Sequence, residues 1–214
     1  MCYGALPEDL GLVDISPKEM MFWLYCPIKV PRGSFVIPKN LEQFRPITEA
    51  VVRRESVANK YVYLTAKTLW VGGGYIGNRP GWHSDGFGTD DVNYIWYDSA
   101  PTDFFEDSFN LPKDCEISMK IMDTMGQAAE YANRLVHYPD RHLLRLDEKV
   151  IHRSPVNFEA GMRTFVKVSI SYDRYNLKGN SINHDLGVSW PLYERRDERN
   201  HPHDTAERYD HAAA

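Results

Sequence analysis

Cysteine is scarce in this sequence. Three occur in 214 residues, Cys2, Cys26 and Cys115, and no two form a Cys-x-x-Cys pair. An odd, scattered set gives neither a disulfide framework nor a thiolate zinc site, so reduced thiols in a cytoplasmic protein are expected. Long apolar runs are also missing. The nearest, Met20 to Val30, is broken by Pro27 and Lys29 and falls short of the roughly 18 residues a membrane helix needs. The opening MCYGALPEDLG has no basic stretch ahead of an apolar one, and so lacks the form of a secretory signal. Basic residues are not in excess, since the formal net charge is −5. That disfavours a polyanionic partner, although a local basic groove, and with it a nucleic-acid target, stays open. No Lys-Ser/Thr follows Gly72-Gly73-Gly74, so these glycines are not a phosphate loop and read as a bulge or lid. No Gly-x-Ser-x-Gly elbow is present, which excludes the hydrolases built on it.

What is present is a chain 43% hydrophobic and 13% aromatic, long enough for one domain with a sizeable core. Residues 1–60 are mixed in texture. Ser16-Pro17-Lys18-Glu19 has the form of a helix start, and Leu41, Phe44, Ile47, Val51 and Val52 are spaced for one helical face, with Pro46 in conflict. From Tyr61 to Val71 the chain is β-branched and aromatic and reads as a strand. Further strands are expected over Asn93–Tyr97, Glu116–Met122, Leu143–Leu146, Lys149–Arg153 and Arg163–Tyr172, with a loop over Pro101–Asp114 and a short helix over Thr124–Val136. Residues 176–214 form a C-terminal extension that ends in a polar tail from Glu194. Many short strands separated by turns, with helices mostly early, indicate a mainly β (α+β) fold, an antiparallel sandwich or barrel over residues 61–175 with flanking helices.

The sharpest feature is Gly81-Trp82-His83-Ser84-Asp85-Gly86. On an extended strand, residues i and i+2 point to the same face, so His83 and Asp85 aim an imidazole and a carboxylate at one point. Trp82 points the other way and is expected to pack. His152, 67 residues beyond Asp85, offers a third ligand. Two histidines and a carboxylate leave coordination positions open, which suits ferrous iron that must also bind a co-substrate and O₂. His137, His142 and His184 are rival ligands in polar or peripheral settings. Arg163, eleven residues after His152, opens the strand RTFVKVSIS, and its planar fork matches a carboxylate such as the distal end of 2-oxoglutarate. Lys167 and Lys67 are rival partners for that carboxylate. Tyr94 and Trp96 share a strand face and would wall the iron pocket if that face looks inward, or else pack in the core. Asn93, on the opposite face, reads as buried support or a co-substrate donor.

The order His-x-Asp, distal His, then Arg resembles the Fe(II)/2-oxoglutarate-dependent dioxygenase family. That resemblance covers roughly residues 61–175 and rests on four residues. It implies a double-stranded β-helix (jelly-roll) core and Fe(II) held by His83, Asp85 and His152. It also implies 2-oxoglutarate as co-substrate, with O₂ as oxidant and Arg163 on its distal carboxylate. A hydroxyl often assists there in the family, and Tyr63, Thr65 and Ser169 are the candidates. Family members that halogenate carry a small residue at the position of Asp85, so its carboxylate implies hydroxylation, desaturation or demethylation. The acidic stretch from Asp98 to Asp107 points to a neutral or cationic small molecule as the primary substrate. Two other readings share the residues: a jelly-roll binding or structural protein that turns nothing over, and an iron dioxygenase that does not use 2-oxoglutarate.

Overall fold

A computed structural model describes residues 2–72 and 74–195. Residues 196–214 of the polar tail, with His201, His203 and His211, and Gly73 of the glycine run lie outside the described residues. The molecule is mainly β and all its named sheets are antiparallel. Among the described residues twelve strands occur in chain order: β1 (Cys2–Tyr3), β2 (Glu8–Leu12), β3 (Met21–Lys29), β4 (Tyr61–Val71), β5 (His83–Ser84), β6 (Val92–Tyr97), β7 (Asp103–Phe105), β8 (Phe109–Asn110), β9 (Leu135–Val136), β10 (His142–Leu146), β11 (Ile151–Arg153) and β12 (Gly161–Ser171). A six-stranded sheet runs β2-β10-β6-β12-β4-β3, a four-stranded one runs β5-β11-β7-β9, and β1 pairs with β8. From β4 to β7 each successive strand switches between the two larger sheets, and the switching resumes from β9 to β12. Residues close in sequence are therefore delivered to opposite sheets.

The long central pair explains where the core and the site separate. β4 and β12 pair along their full lengths, from Gly161 opposite Val71 to Ser171 opposite Tyr61. Their β-branched and aromatic residues suit a pleated, covered surface. On one face of the six-stranded sheet, Val62, Leu64, Ala66, Val166, Val168 and Ile170 join Tyr94 and Trp96 in the main core. That face is covered by a 3₁₀ turn at Lys39–Phe44 and by helix α1 (Arg45–Arg54), which contribute Leu41, Phe44, Ile47 and Val51. Pro46 lies in the first turn of α1, where a missing N–H costs nothing, so it starts the helix and does not break it. The other face carries Thr65, Lys67, Asn93, Ile95, Phe165 and Lys167 and lines a cavity shared with the four-stranded sheet.

Several expectations change. Residues 16–19 form no helix, and the chain enters β3 instead. The strand expected over Glu116–Met122 and the helix expected to begin at Thr124 are one helix, α2 (Cys115–Tyr131). Asp114 caps it by accepting from the Ile117 N–H at 2.9 Å, and Ser118, Met122, Gly126 and Ala129 are its buried residues, at helical spacing. The helix stops before Val136 because Asn133 takes a left-handed φ of 54°, and the chain leaves as β9. The loop expected over Pro101–Asp114 contains β7 and β8. No helix among the described residues is long and apolar enough to cross a membrane.

Candidate metal centre and its cavity

β5 pairs with β11 so that His83 lies directly opposite His152. The two imidazole rings stand 4.6 Å apart, centroid to centroid. Asp85 follows two residues after His83, just past the strand end, and its Oδ2 is 3.6 Å from His152 Nε2. One donor atom from each of the three lies within 4.8 Å of the others. Each histidine turns its second ring nitrogen to a backbone carbonyl: His83 Nδ1 to Gly81 O at 2.9 Å, and His152 Nδ1 to Val150 O at 3.4 Å. Those bonds favour the tautomer that leaves Nε2 as a lone-pair donor, the usual outer support of a metal-bound histidine. Burial, with the neighbouring His152, pushes His83 down to about 3, so its ring is neutral and ready to ligate. Burial alone would raise the Asp85 carboxyl, but Lys167, His152 and His83 hold it well below the usual range.

Lys167 comes from the opposite sheet. Its ammonium donates to Asp85 Oδ2 and to the Tyr25 hydroxyl, both at 3.0 Å. Tyr25 comes from residues 1–60, where no sequence motif points to a place in the site. The register of β3 slips between Trp23 and Cys26, and Tyr25 adopts φ 46°. The bulge leaves Trp23 and Cys26 packed in the main core while Leu24 and Tyr25 both line the cavity. No period-2 pattern reveals such a slip; the only local hint is Pro27, a residue strands tolerate at an edge.

Below the triad, Trp82 fixes the approach of β5. Its backbone N–H donates to Asp123 Oδ1 at 3.0 Å, its ring meets Phe105 edge-on at 5.1 Å, and the Arg153 guanidinium sits 4.7 Å from the ring centroid. Arg153 is held in turn by Asp103 at 2.8 Å and Glu130 at 2.8 Å. Ser84 donates to Glu148 O at 2.6 Å. His83 and His152 thus stand on strands clamped from behind, with Asp85 just past the end of β5.

The cavity above the triad has a volume of about 850 Å³. The co-substrate candidates divide there. Thr65 lines it and accepts from the Tyr25 N–H at 2.9 Å. Tyr63 and Ser169 do not: Tyr63 donates to Asp173 O and stacks on Tyr175, and Ser169 donates to Asn93 Oδ1 at 2.6 Å. Arg163 is placed apart from the cavity lining. It is almost fully buried, with Nε on Ser99 O at 3.0 Å and Nη2 on Ala100 O at 3.2 Å. The cations of β4 and β12 that reach the cavity are Lys67 and Lys167. The acidic stretch does not guard the cavity either, since Asp98 accepts from the Thr164 N–H and Asp103 is tied to Arg153 and His137. His142 pairs with Asp9, and His184 is exposed on a short turn, so neither joins the triad.

Tyr94 and Trp96 lie on the helix-covered face and are not pocket walls. Tyr94 donates to Glu55 at 2.8 Å and Trp96 Nε1 to Val13 O at 2.9 Å, both at zero exposure. Tyr94→Phe should therefore cost about 1 kcal/mol of stability and leave metal affinity unchanged, as denaturant unfolding and a metal titration would show.

Comparison with protein-family models, with curated proteins and with solved structures gives no match. The geometry alone identifies the centre as a candidate metal site made of His83, Asp85 and His152.

Proposed function

We propose that this chain is an Fe(II)/2-oxoglutarate-dependent oxygenase with a double-stranded β-helix core, acting as a hydroxylase on a small molecule. The carrying observation is the triad itself: two imidazoles and one carboxylate converge from strand β5, the turn after it and strand β11, at the floor of a large cavity. A donor set of two nitrogens and one oxygen suits ferrous iron and leaves positions for further ligands. The carbonyl-anchored second nitrogens of both histidines match what a bound metal requires of its outer shell. The alternation of β4–β7 and β9–β12 between two facing sheets supports the jelly-roll reading. Bound there with 2-oxoglutarate and O₂, iron supplies oxidative decarboxylation of the keto acid to succinate and CO₂ together with the oxidising power for hydroxylation.

The chain's own groups set the stage. Lys167 fixes the rotamer of Asp85 and balances its charge in a site where an unpaired carboxylate would be costly. Lys67 is the partner for the distal carboxylate of 2-oxoglutarate. It stands diagonally from Lys167 across the β4–β12 ladder, about 7–8 Å away along the backbone. That span fits a short dicarboxylate with its other end at the triad. Among the described residues Lys67 uses two of its three donors, on Gly77 O at 2.8 Å and Asn78 Oδ1 at 3.1 Å. The remaining cavity volume accommodates a small-molecule substrate beside the co-substrate.

Burial, reinforced by Lys167 and Arg163, pushes Lys67 down to about 8. Its ammonium is present below that pH and lost above it. Dicarboxylate affinity of the metal-loaded protein should therefore be level below pH 8 and fall as pH rises through it. Lys67→Met should weaken binding by a charge-assisted hydrogen bond, about 1.5–3 kcal/mol or roughly 10- to 150-fold, and remove the fall above pH 8. Tryptophan fluorescence titrations at several pH values measure both. The activity itself is tested by succinate formation over a panel of small metabolites and oligonucleotides: a substrate-stimulated rise supports the reading, and an unstimulated background across the panel with iron bound speaks for a binding protein.

A further inference from the structure

Behind the cavity lies an unbroken file of oxidisable rings. Tyr25 meets Tyr175 edge-on at 5.3 Å, and Tyr175 stacks on Tyr63 at 4.1 Å with the planes 6° apart. Tyr63 stacks on Tyr61 at 6.0 Å, and Tyr61 meets Trp190 edge-on at 6.2 Å. The file begins at the candidate metal centre, because the Tyr25 hydroxyl accepts from Lys167, which also holds Asp85. It ends at Trp190, which is partly exposed. The interior rings Tyr175, Tyr63 and Tyr61 are buried at 3%, 0% and 5% exposure.

Leucine or phenylalanine would fill this volume without bringing in a polar atom that must find a partner. Phenols and an indole differ from them in being readily oxidised by one electron. One member also has what such an oxidation requires. A buried phenol that loses an electron must lose its proton at the same time, and the Tyr175 hydroxyl donates to Asp91 Oδ2 at 2.6 Å, with Asp91 only 1% exposed.

We propose that Tyr25, Tyr175, Tyr63, Tyr61 and Trp190 form a conduit that carries an oxidising equivalent from the cavity to the surface, with the Tyr175–Asp91 pair as its proton-coupled station. When a one-electron oxidant arises in the cavity with no substrate to consume it, an electron leaves Tyr175 by way of Tyr25. The Tyr175 O–H bond breaks and its proton passes to Asp91, giving a neutral phenoxyl radical and a carboxylic acid. The rings of Tyr63 and Tyr61 bridge Tyr175 to Trp190 for electron transfer without themselves losing a proton. A small-molecule reductant in solvent, a thiol or ascorbate, supplies one electron there, and the Asp91 proton returns to Tyr175. The conduit stands on the ring geometry, whereas its protective purpose rests on the oxygenase reading.

The test uses the metal-free full chain. A ruthenium photosensitiser with a sacrificial acceptor oxidises surface aromatics in a flash, and transient absorption and electron paramagnetic resonance follow the radical. A long-lived neutral tyrosyl signal is expected in the parent protein. It should be lost in Tyr175→Phe, which keeps the ring stack, and greatly reduced in Trp190→Phe, which keeps an aromatic ring at the partly exposed end of the file. An undiminished signal in both variants, or none in the parent, overturns the conduit whatever the metal does. In the iron-loaded protein given 2-oxoglutarate and O₂ without substrate, Tyr175→Phe should inactivate faster than the parent. A tyrosyl signal without any 2-oxoglutarate consumption would keep the conduit and remove its protective purpose together with the oxygenase reading.

Discussion

Asp85→Ala should abolish stoichiometric divalent-metal binding and, with it, 2-oxoglutarate turnover. The carboxylate is the only acidic member of the triad, and removing it leaves two imidazoles. The loss should exceed the roughly 100-fold that removing an outer-shell partner of a metal site can cost. The substitution has a second consequence, because Lys167 is 8% exposed and Asp85 is its ionic partner at 3.0 Å. Breaking such a pair by deleting one member strands the other charge in the interior and costs about 3–5 kcal/mol. Lys167→Met combined with Asp85→Ala should recover much of that stability without recovering metal. Cobalt titration followed by visible absorption, with urea unfolding of the single and double variants, separates the two effects. Parent-like cobalt affinity in Asp85→Ala would remove Asp85 from the ligand set.

Gly126→Ala should destabilise the protein even though alanine favours helix. A Cβ at this position of α2 would lie 2.3–2.4 Å from the Trp82 indole, closer than real Cβ contacts come. The indole has nowhere to go, being bounded by Phe105 and Arg153 while its backbone is tied to Asp123. The gain in helix propensity is about 1 kcal/mol, and overpacking a filled core costs typically about 1–3 kcal/mol. The packing cost wins here because a rigid ring, and not a flexible chain end, is what must yield. Net of that gain the cost is up to about 2 kcal/mol, a fall in Tm of up to roughly 8 °C for a chain of this size. Trp82 immediately precedes His83, so metal affinity should weaken as well. A Tm equal to or above the parent's would show that α2 can move away freely.

The two predictions mark how far the sequence reaches. The triad was legible because its signal is local: His83 and Asp85 share a strand face by spacing alone, and His152 lies in a short apolar run that pairs opposite them. The mainly β texture was legible for the same reason, from Tyr61–Val71 and Arg163–Tyr172. Facing is harder. Tyr94 and Trp96 alternate just as Asn93 and Ile95 do, and which set looks at the cavity depends on α1 covering one side of the sheet, a non-local fact. Arg163 shares its strand face with Lys167, but whether it lines the cavity is decided by the carbonyls of Ser99 and Ala100 closing over its fork. In sequence, α2 reads as a strand and then a helix because Ile117, Met119 and Ile121 also fit an alternating pattern, whereas the Asp114 cap and the buried spacing of Ser118, Met122 and Gly126 favour one helix. The bulge that delivers Tyr25 leaves no pattern in sequence at all.

The most direct test of the central claim is an anaerobic titration of the protein with Fe(II) followed by 2-oxoglutarate, watched in the visible. The expected result is one iron per chain and a weak metal-to-ligand charge-transfer band that appears only when both are present. It should be missing in His152→Ala. One iron bound with no band at saturating 2-oxoglutarate, or a band of equal strength in His152→Ala, would contradict it.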